Sequence, residues 1–187
     1  MSILVIGFVV VIIALLIWVI VTYNKFKREK VAIQESWSTI DVQLKRKANI
    51  LQNLVDTLKM QMNFESGVLK EITEARSGLT SSDHTEAMKA NDHLTKLMPT
   101  IQATAESYPA LGTNASFLQM MADIRDCEDK VAYARTRYNA TVARYNMDIQ
   151  VIPGCIVASQ MKLQAEPLFE VSEETRTDAD NMRISQL

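Results

Sequence analysis

Charged side chains are missing from the first 24 residues of this 187-residue chain. Ile, Leu, Val, Phe and Ala fill most of the stretch from Ile3 to Val21. That absence excludes an ordinary core helix, which seldom stays apolar on every face for so long. The run is about the length a helix needs to cross a hydrocarbon layer of roughly 30 Å. It also lacks the basic start and small-residue cleavage site of a removable signal, so it reads as a retained single span. Trp18 and Tyr23 stand near its far end, where aromatic rings favour the membrane interface. Lys25, Lys27, Arg28 and Lys30 follow at once, and a basic flank predicts the cytoplasmic side. The expectation is a bacterial inner-membrane protein with its N-terminus outside and its body inside.

Other scarcities narrow the class. Five Gly and four Pro leave room for long unbroken elements. Twenty basic against 22 acidic residues exclude the dominant basic face of a nucleic-acid binder. Cys127 and Cys155 do not form a metal-type spacing, and a disulfide is disfavoured in a reducing compartment. Asp83-His84 and Asp92-His93 are too far out of phase to put both His on one helix face. No Gly-rich phosphate loop, zinc spacing or nucleophile motif is present. We therefore expect no enzyme, no cofactor and no metal site.

What is present is helical periodicity. Ile33, Trp37, Ile40, Leu44, Leu51, Leu54, Val55, Leu58, Met62, Leu69 and Ile72 make one wide stripe from Asn24 to about Ser77. With no breaker after Tyr23, the span should run straight into this helix as one rod of about 75 residues, over 100 Å long. A loop at residues 77–83 precedes a second helix, from about Thr85 to Ser107, which Pro99 should kink or break. Ser82 or Asp83, and Thr113 or Asn114, are the candidate caps. A third helix runs from about Ala115 to Ile152, with Phe117, Ile124, Val131, Tyr138, Tyr145 and Ile152 seven apart. A short apolar piece follows, from Cys155 to Phe169.

The predicted fold is all-α. A transmembrane helix (1–24) continues into a long antiparallel helical bundle of three long helices plus a short C-terminal one (25–170). A disordered polar tail follows (171–187).

Three constellations stand out. Asp41, Lys45, Asn49 and Asn53 are four apart on one polar strip, with Arg46 beside it. Asp41 and Lys45 can pair across a turn. The strip is either a solvated face or a recognition strip. Glu128 and Arg135 interrupt the seam of the third helix, where an unpaired charge is expensive. They should find Arg46, Arg76 or Asp41 on the first helix and fix the register between helices. Tyr138-Asn139 and Tyr145-Asn146 are one heptad apart, which suggests core Tyr rings with wet hydroxyls and an interhelical rung of Asn amides.

Several of these residues also carry a resemblance. Tyr23-Asn24, Trp37, the run Ile40 to Lys47 and Asn53-Leu54-Val55 resemble the signature of the LemA family. Glu65, Ala75-Arg76, Tyr108-Pro109, Asn114, Phe117-Leu118, Glu128, Ala134-Arg135, the two Tyr-Asn pairs and Phe169-Glu170 fall where that family has similar residues. The match spans roughly Ile3 to Glu170. Two positions depart from the pattern: Gln52, where the family usually has Pro, and Pro99. The resemblance implies a bacterial single-span membrane protein with an antiparallel bundle. It also implies association with membrane-bound assemblies, including organelle membranes of magnetic bacteria, and with membrane proteases.

Three functions compete on these grounds. One is a non-enzymatic scaffold that self-associates on the inner membrane face. Another is an adaptor for a membrane protease or other envelope enzyme. The last is a hydrolase using buried carboxylates, which would need a concave pocket holding a carboxylate of raised pKa.

Overall fold

The computed structural model describes residues 2–61, 66–106 and 108–169, and the regular structure among them is helical. The elements are α1 (Ser2–Gln61), α2 (Ser66–Leu79), α3 (His84–Glu106), α4 (Pro109–Gly112), α5 (Ala115–Asp148) and α6 (Gly154–Gln160). Glu65, Met62, Glu170 and the expected tail lie outside the described residues.

α1 is unbroken for 60 residues, a rod of about 90 Å. Its first third is long and apolar enough to cross a membrane, by length and composition. Apart from Trp18, which α6 half covers, the side chains of residues 4–21 stand exposed. The join at Tyr23–Lys25 is helical, as expected.

The rod ends sooner than its stripe suggested. α1 stops at Gln61, and α2 folds back against it, so that Arg76 reaches the Gln52 side-chain carbonyl. A straight helix would hold those two residues about 36 Å apart. The stripe continues through the reversal because both arms bury their apolar faces in one core: Leu51, Leu54 and Leu58 from α1, Ile72, Ala75 and Leu79 from α2. Asn63, Ser66 and Gly67, all weak helix formers, mark the place in sequence.

α3 runs parallel to α1 and packs on α2. At Gly78 a Cβ would stand 2.6 Å from the Ala90 Cβ, so glycine permits the close approach of these two helices. α3 is not broken at Pro99. Asp83 Oδ1 caps it by accepting from the Thr85 and Glu86 amides (2.7 and 3.2 Å). Asn114 caps α5 by accepting from the Ser116 and Phe117 amides (2.9 and 3.1 Å).

α5 returns antiparallel along α1. Arg46 meets Asp126, Ser36 meets Thr141, and Lys25 meets Asp148. It ends at Asp148 rather than Ile152, because Val151, Ile152 and Pro153 form the turn into α6. α6 rests on Phe26 of α1. The short C-terminal piece is helical only over Gly154–Gln160. Residues 163–169 then run as a non-helical strap back up the bundle. The strap lies against α5 beside the start of α3, where Glu166 and His84 line one cleft.

Candidate functional site

Each of three helices carries a polar residue where its stripe calls for an apolar one. On α1 the series Trp37, Ile40, Leu44, Leu51, Leu54 passes through Lys47; on α3, Met88, Leu94, Met98 passes through Asn91; on α5, Ile124, Val131 brackets Glu128. The fold brings these three together. Lys47 is fully buried, and its ammonium donates to Asn91 Oδ1 at 2.9 Å and to Glu128 Oε1 at 3.1 Å. Thr95 Oγ1 lies 3.1 Å from the same Glu128 oxygen. Next to it, Arg135 pairs with Asp92 of α3. Burial pushes the Lys47 pKa below its usual value, against the pull of Glu128. One removed partner would strand a charge in the core, so the network fixes the alignment of α1, α3 and α5.

The expected partners were different ones. Glu128 does pair with α1, but with Lys47 rather than Arg46, because position 47 lies on the buried stripe and position 46 beside it. Arg135 pairs with α3, not with the first helix. Arg46 instead bridges Asp126 (2.8 Å) and Asp123 (3.7 Å) on the outside of α5. Arg76 ties α2 to α1 through Gln52, the position where the family usually has Pro, and Gln52 also holds Asp56. Asp41 and Lys45 pair at 2.7 Å on an exposed face, and Asn53 stands exposed nearby. Exposed pairs of this kind contribute little to stability.

The two Tyr-Asn pairs do something sequence reasoning missed. Asn139 donates to the Phe169 carbonyl and accepts from the Phe169 amide, both at 2.9 Å. Asn146 does the same with Glu166, again at 2.9 Å both ways. The amides are therefore clips on the strap and not a rung between helices. The spacing explains why. Seven residues of helix rise about 10.5 Å, and three residues of extended chain rise about 10 Å. One heptad on α5 thus matches the step from Glu166 to Phe169. The tyrosine hydroxyls also depart from expectation at one position: Tyr145 donates to the Gln164 carbonyl at 3.2 Å. Tyr138 stacks on Phe169, Phe169 touches Trp37, and Trp37 stacks on His84 at 3.7 Å between ring centroids. One aromatic file thereby joins α1, the start of α3, α5 and the strap.

Toward the apolar end of α1, a groove of about 1010 Å³ separates α1 from α5. Glu29 sits in it beside Lys25, Arg144 and Asp148. Burial first, and then Asp148, raise its pKa to about 7. Glu29 Oε2 is buried without a hydrogen-bond partner, which a proton shared with Asp148 would remedy. Asp148 itself is held low, chiefly by Lys25 at 2.8 Å. A groove holding a carboxylate of raised pKa is what the hydrolase reading requires. Among the described residues lining the groove the one hydroxyl, Thr141, donates to the Arg137 carbonyl (3.0 Å) and lies 3.5 Å from the Ser36 hydroxyl. Among the described residues no His, Cys, Asp or Glu cluster is arranged for a metal, and both cysteines are free.

With this geometry in place, comparison with known proteins is decisive at the family level. The model of the LemA family matches residues 36–183. The chain belongs to the LemA family. The matched region takes in the Lys47 network, the aromatic file and both Asn clips. A curated relative, Protein LemA of Metamycoplasma hominis, is 27% identical over 163 residues, covering 86% of this chain and 74% of that protein. Magnetosome protein MamQ of Magnetospirillum gryphiswaldense is 23% identical over 168 residues, covering 75% of this chain and 62% of that protein. Family membership together with the apolar helix makes this a membrane-associated protein.

Proposed function

We propose that this LemA-family chain is a non-enzymatic, single-span scaffold that self-associates on the cytoplasmic face of the membrane. One observation carries the reading: α1 passes from its apolar third into the bundle with no joint. A continuous helix transmits the orientation of the span to the body, so every copy would stand on the bilayer in the same posture. Copies held in one orientation pay little rotational entropy to associate laterally. The Lys47 network and the Asn clips support the same reading, because they stiffen the body along its length. The outer faces of α1 and α5 expose Val31, Val42, Leu118 and Tyr133 for such contacts. The basic flank after Asn24 supports a cytoplasmic body. One relative is a magnetosome protein by its name, which fits a structural role without assigning one here.

Mass measurement of the full chain in mild detergent and in lipid nanodiscs tests the reading. Multiples of the protomer are expected. A strict monomer at every density would end it, and a monomer bound stoichiometrically to another membrane protein would favour an adaptor.

A further inference from the structure

The groove between α1 and α5 is lined by four basic side chains and one acidic one. α1 contributes Val21, Lys25, Arg28 and Glu29, and α5 contributes Arg137 and Arg144. Lys25 is occupied by Asp148 at 2.8 Å, and Arg144 reaches the same carboxylate at 4.0 Å. Arg28 and Arg137 make no ion pair among the described residues and stand exposed on opposite walls. Four cations therefore face one lining carboxylate, Glu29, and one neighbouring carboxylate, Asp148. The excess is positive, and it grows as Glu29 takes up its proton.

Position matters as much as charge. Val21 closes the apolar run, so the groove begins where α1 leaves the hydrocarbon; Arg28 follows about 10 Å farther along α1, and Arg137 lines the facing wall higher up, beyond the Lys25–Asp148 pair. Beyond Asp148 the α5–α6 turn carries Ile152 and α6 carries Ile156, both exposed (84% and 59%). α6 itself packs against Trp18 and Phe26 of α1. The foot of the bundle is thus apolar outside and basic in the cleft. Basic pockets beside membrane helices are suited to anionic lipid headgroups, and guanidinium forks match phosphate oxygens.

We propose that the α1–α5 groove binds the phosphodiester headgroup of an anionic phospholipid, with Arg28 and Arg137 as its principal contacts and Val21 against the lipid chains. The proposal rests on α1 being embedded in the bilayer. It gives the foot of the scaffold a second hold on the membrane and makes its seating dependent on lipid charge.

The test uses the full chain in detergent micelles, titrated with phosphatidylglycerol or phosphatidylcholine and read by native mass spectrometry. Phosphatidylglycerol should be retained over phosphatidylcholine by about tenfold, since each basic side chain near a charged surface adds appreciably. The pair Arg28→Gln/Arg137→Gln should abolish that preference. The pair Lys70→Gln/Lys89→Gln, equal in charge change and remote from the groove, should keep it. Both arginines are exposed and unpaired, and an unchanged circular dichroism spectrum would show the fold intact. Equal retention of the two lipids, or equal loss in both variant pairs, would overturn the proposal. Displacement of the lipid by millimolar inorganic phosphate would overturn its lipid half and leave a soluble phosphate site. Alkaline washing of native membranes separates the premise: a chain that washes off refutes the anchoring itself, whereas a retained chain without lipid preference refutes only this inference.

Discussion

Replacing Asn139 by Ala should release the strap while leaving the helices standing. The substitution removes two hydrogen bonds of 2.9 Å and strands the amide and carbonyl of Phe169, a residue only 7% exposed. Each such bond is worth ~1 kcal/mol net, and a stranded buried backbone group costs ~1–3 kcal/mol. The site is partly buried and water can reach it after release, so we expect a loss of about 2 kcal/mol. That corresponds to an about thirtyfold larger opening equilibrium for the strap, and so to faster exchange there. Asn146→Ala should act alike on Glu166, whose amide and carbonyl it holds. The double variant should cost less than the sum, because the second clip holds a segment already freed. Hydrogen-exchange mass spectrometry of residues 163–169 reads the effect directly. Protection of peptides from α1 and α5 should hardly change. If the strap exchanges at the same rate in wild type and in both variants, the clip reading is wrong.

Lys47→Ala should cost ~3 kcal/mol, since it leaves Glu128 and Asn91 facing the core, while Lys47→Met with Glu128→Leu should recover most of that loss; melting of the detergent-extracted variants compares them. Burial and Asp148 raise the Glu29 pKa from the usual 4.5 to about 7, so the native state binds its proton more tightly. Its contribution is present below the unfolded value and is lost as pH rises toward 7. Melting temperature should therefore fall between about pH 5 and pH 7, and Glu29→Gln should flatten that slope. Gly78→Ala should destabilise by ~1–2 kcal/mol despite better helix propensity, because the new Cβ meets Ala90 Cβ at 2.6 Å; a rise in melting temperature would contradict the tight α2–α3 contact.

Much of the fold was legible because burial imposes a period. The stripe of Ile33, Trp37, Ile40 and Leu44 and the heptads from Phe117 to Tyr145 each trace a buried face. The reversal between Gln61 and Ser66 was not legible, because both arms present the same apolar phase to one core. Lys47 could have been found: it falls on the three-four spacing of the stripe, but Ala48 occupies the neighbouring slot and hid it. Glu128 and Arg135 announced themselves as charges in a seam, while their partners depended on which helix stood opposite. The strap had no readable period, since its partner is side-chain amides rather than a complementary stripe. The Tyr-Asn repeats marked the receiving end of that contact and gave no sign of what would be received.

The account stands on one continuous helix that carries the body at a fixed posture above the lipid. Spin labels at Asn24 and Asn49, both exposed on α1, test this in lipid nanodiscs, with Cys127→Ala and Cys155→Ser removing the native thiols. Twenty-five residues of helix separate the labelled backbone positions by about 37 Å. A single narrow distance distribution near that value, allowing for the label arms, is the predicted result. A broad distribution, or two populations, would place a joint between span and bundle and contradict the account.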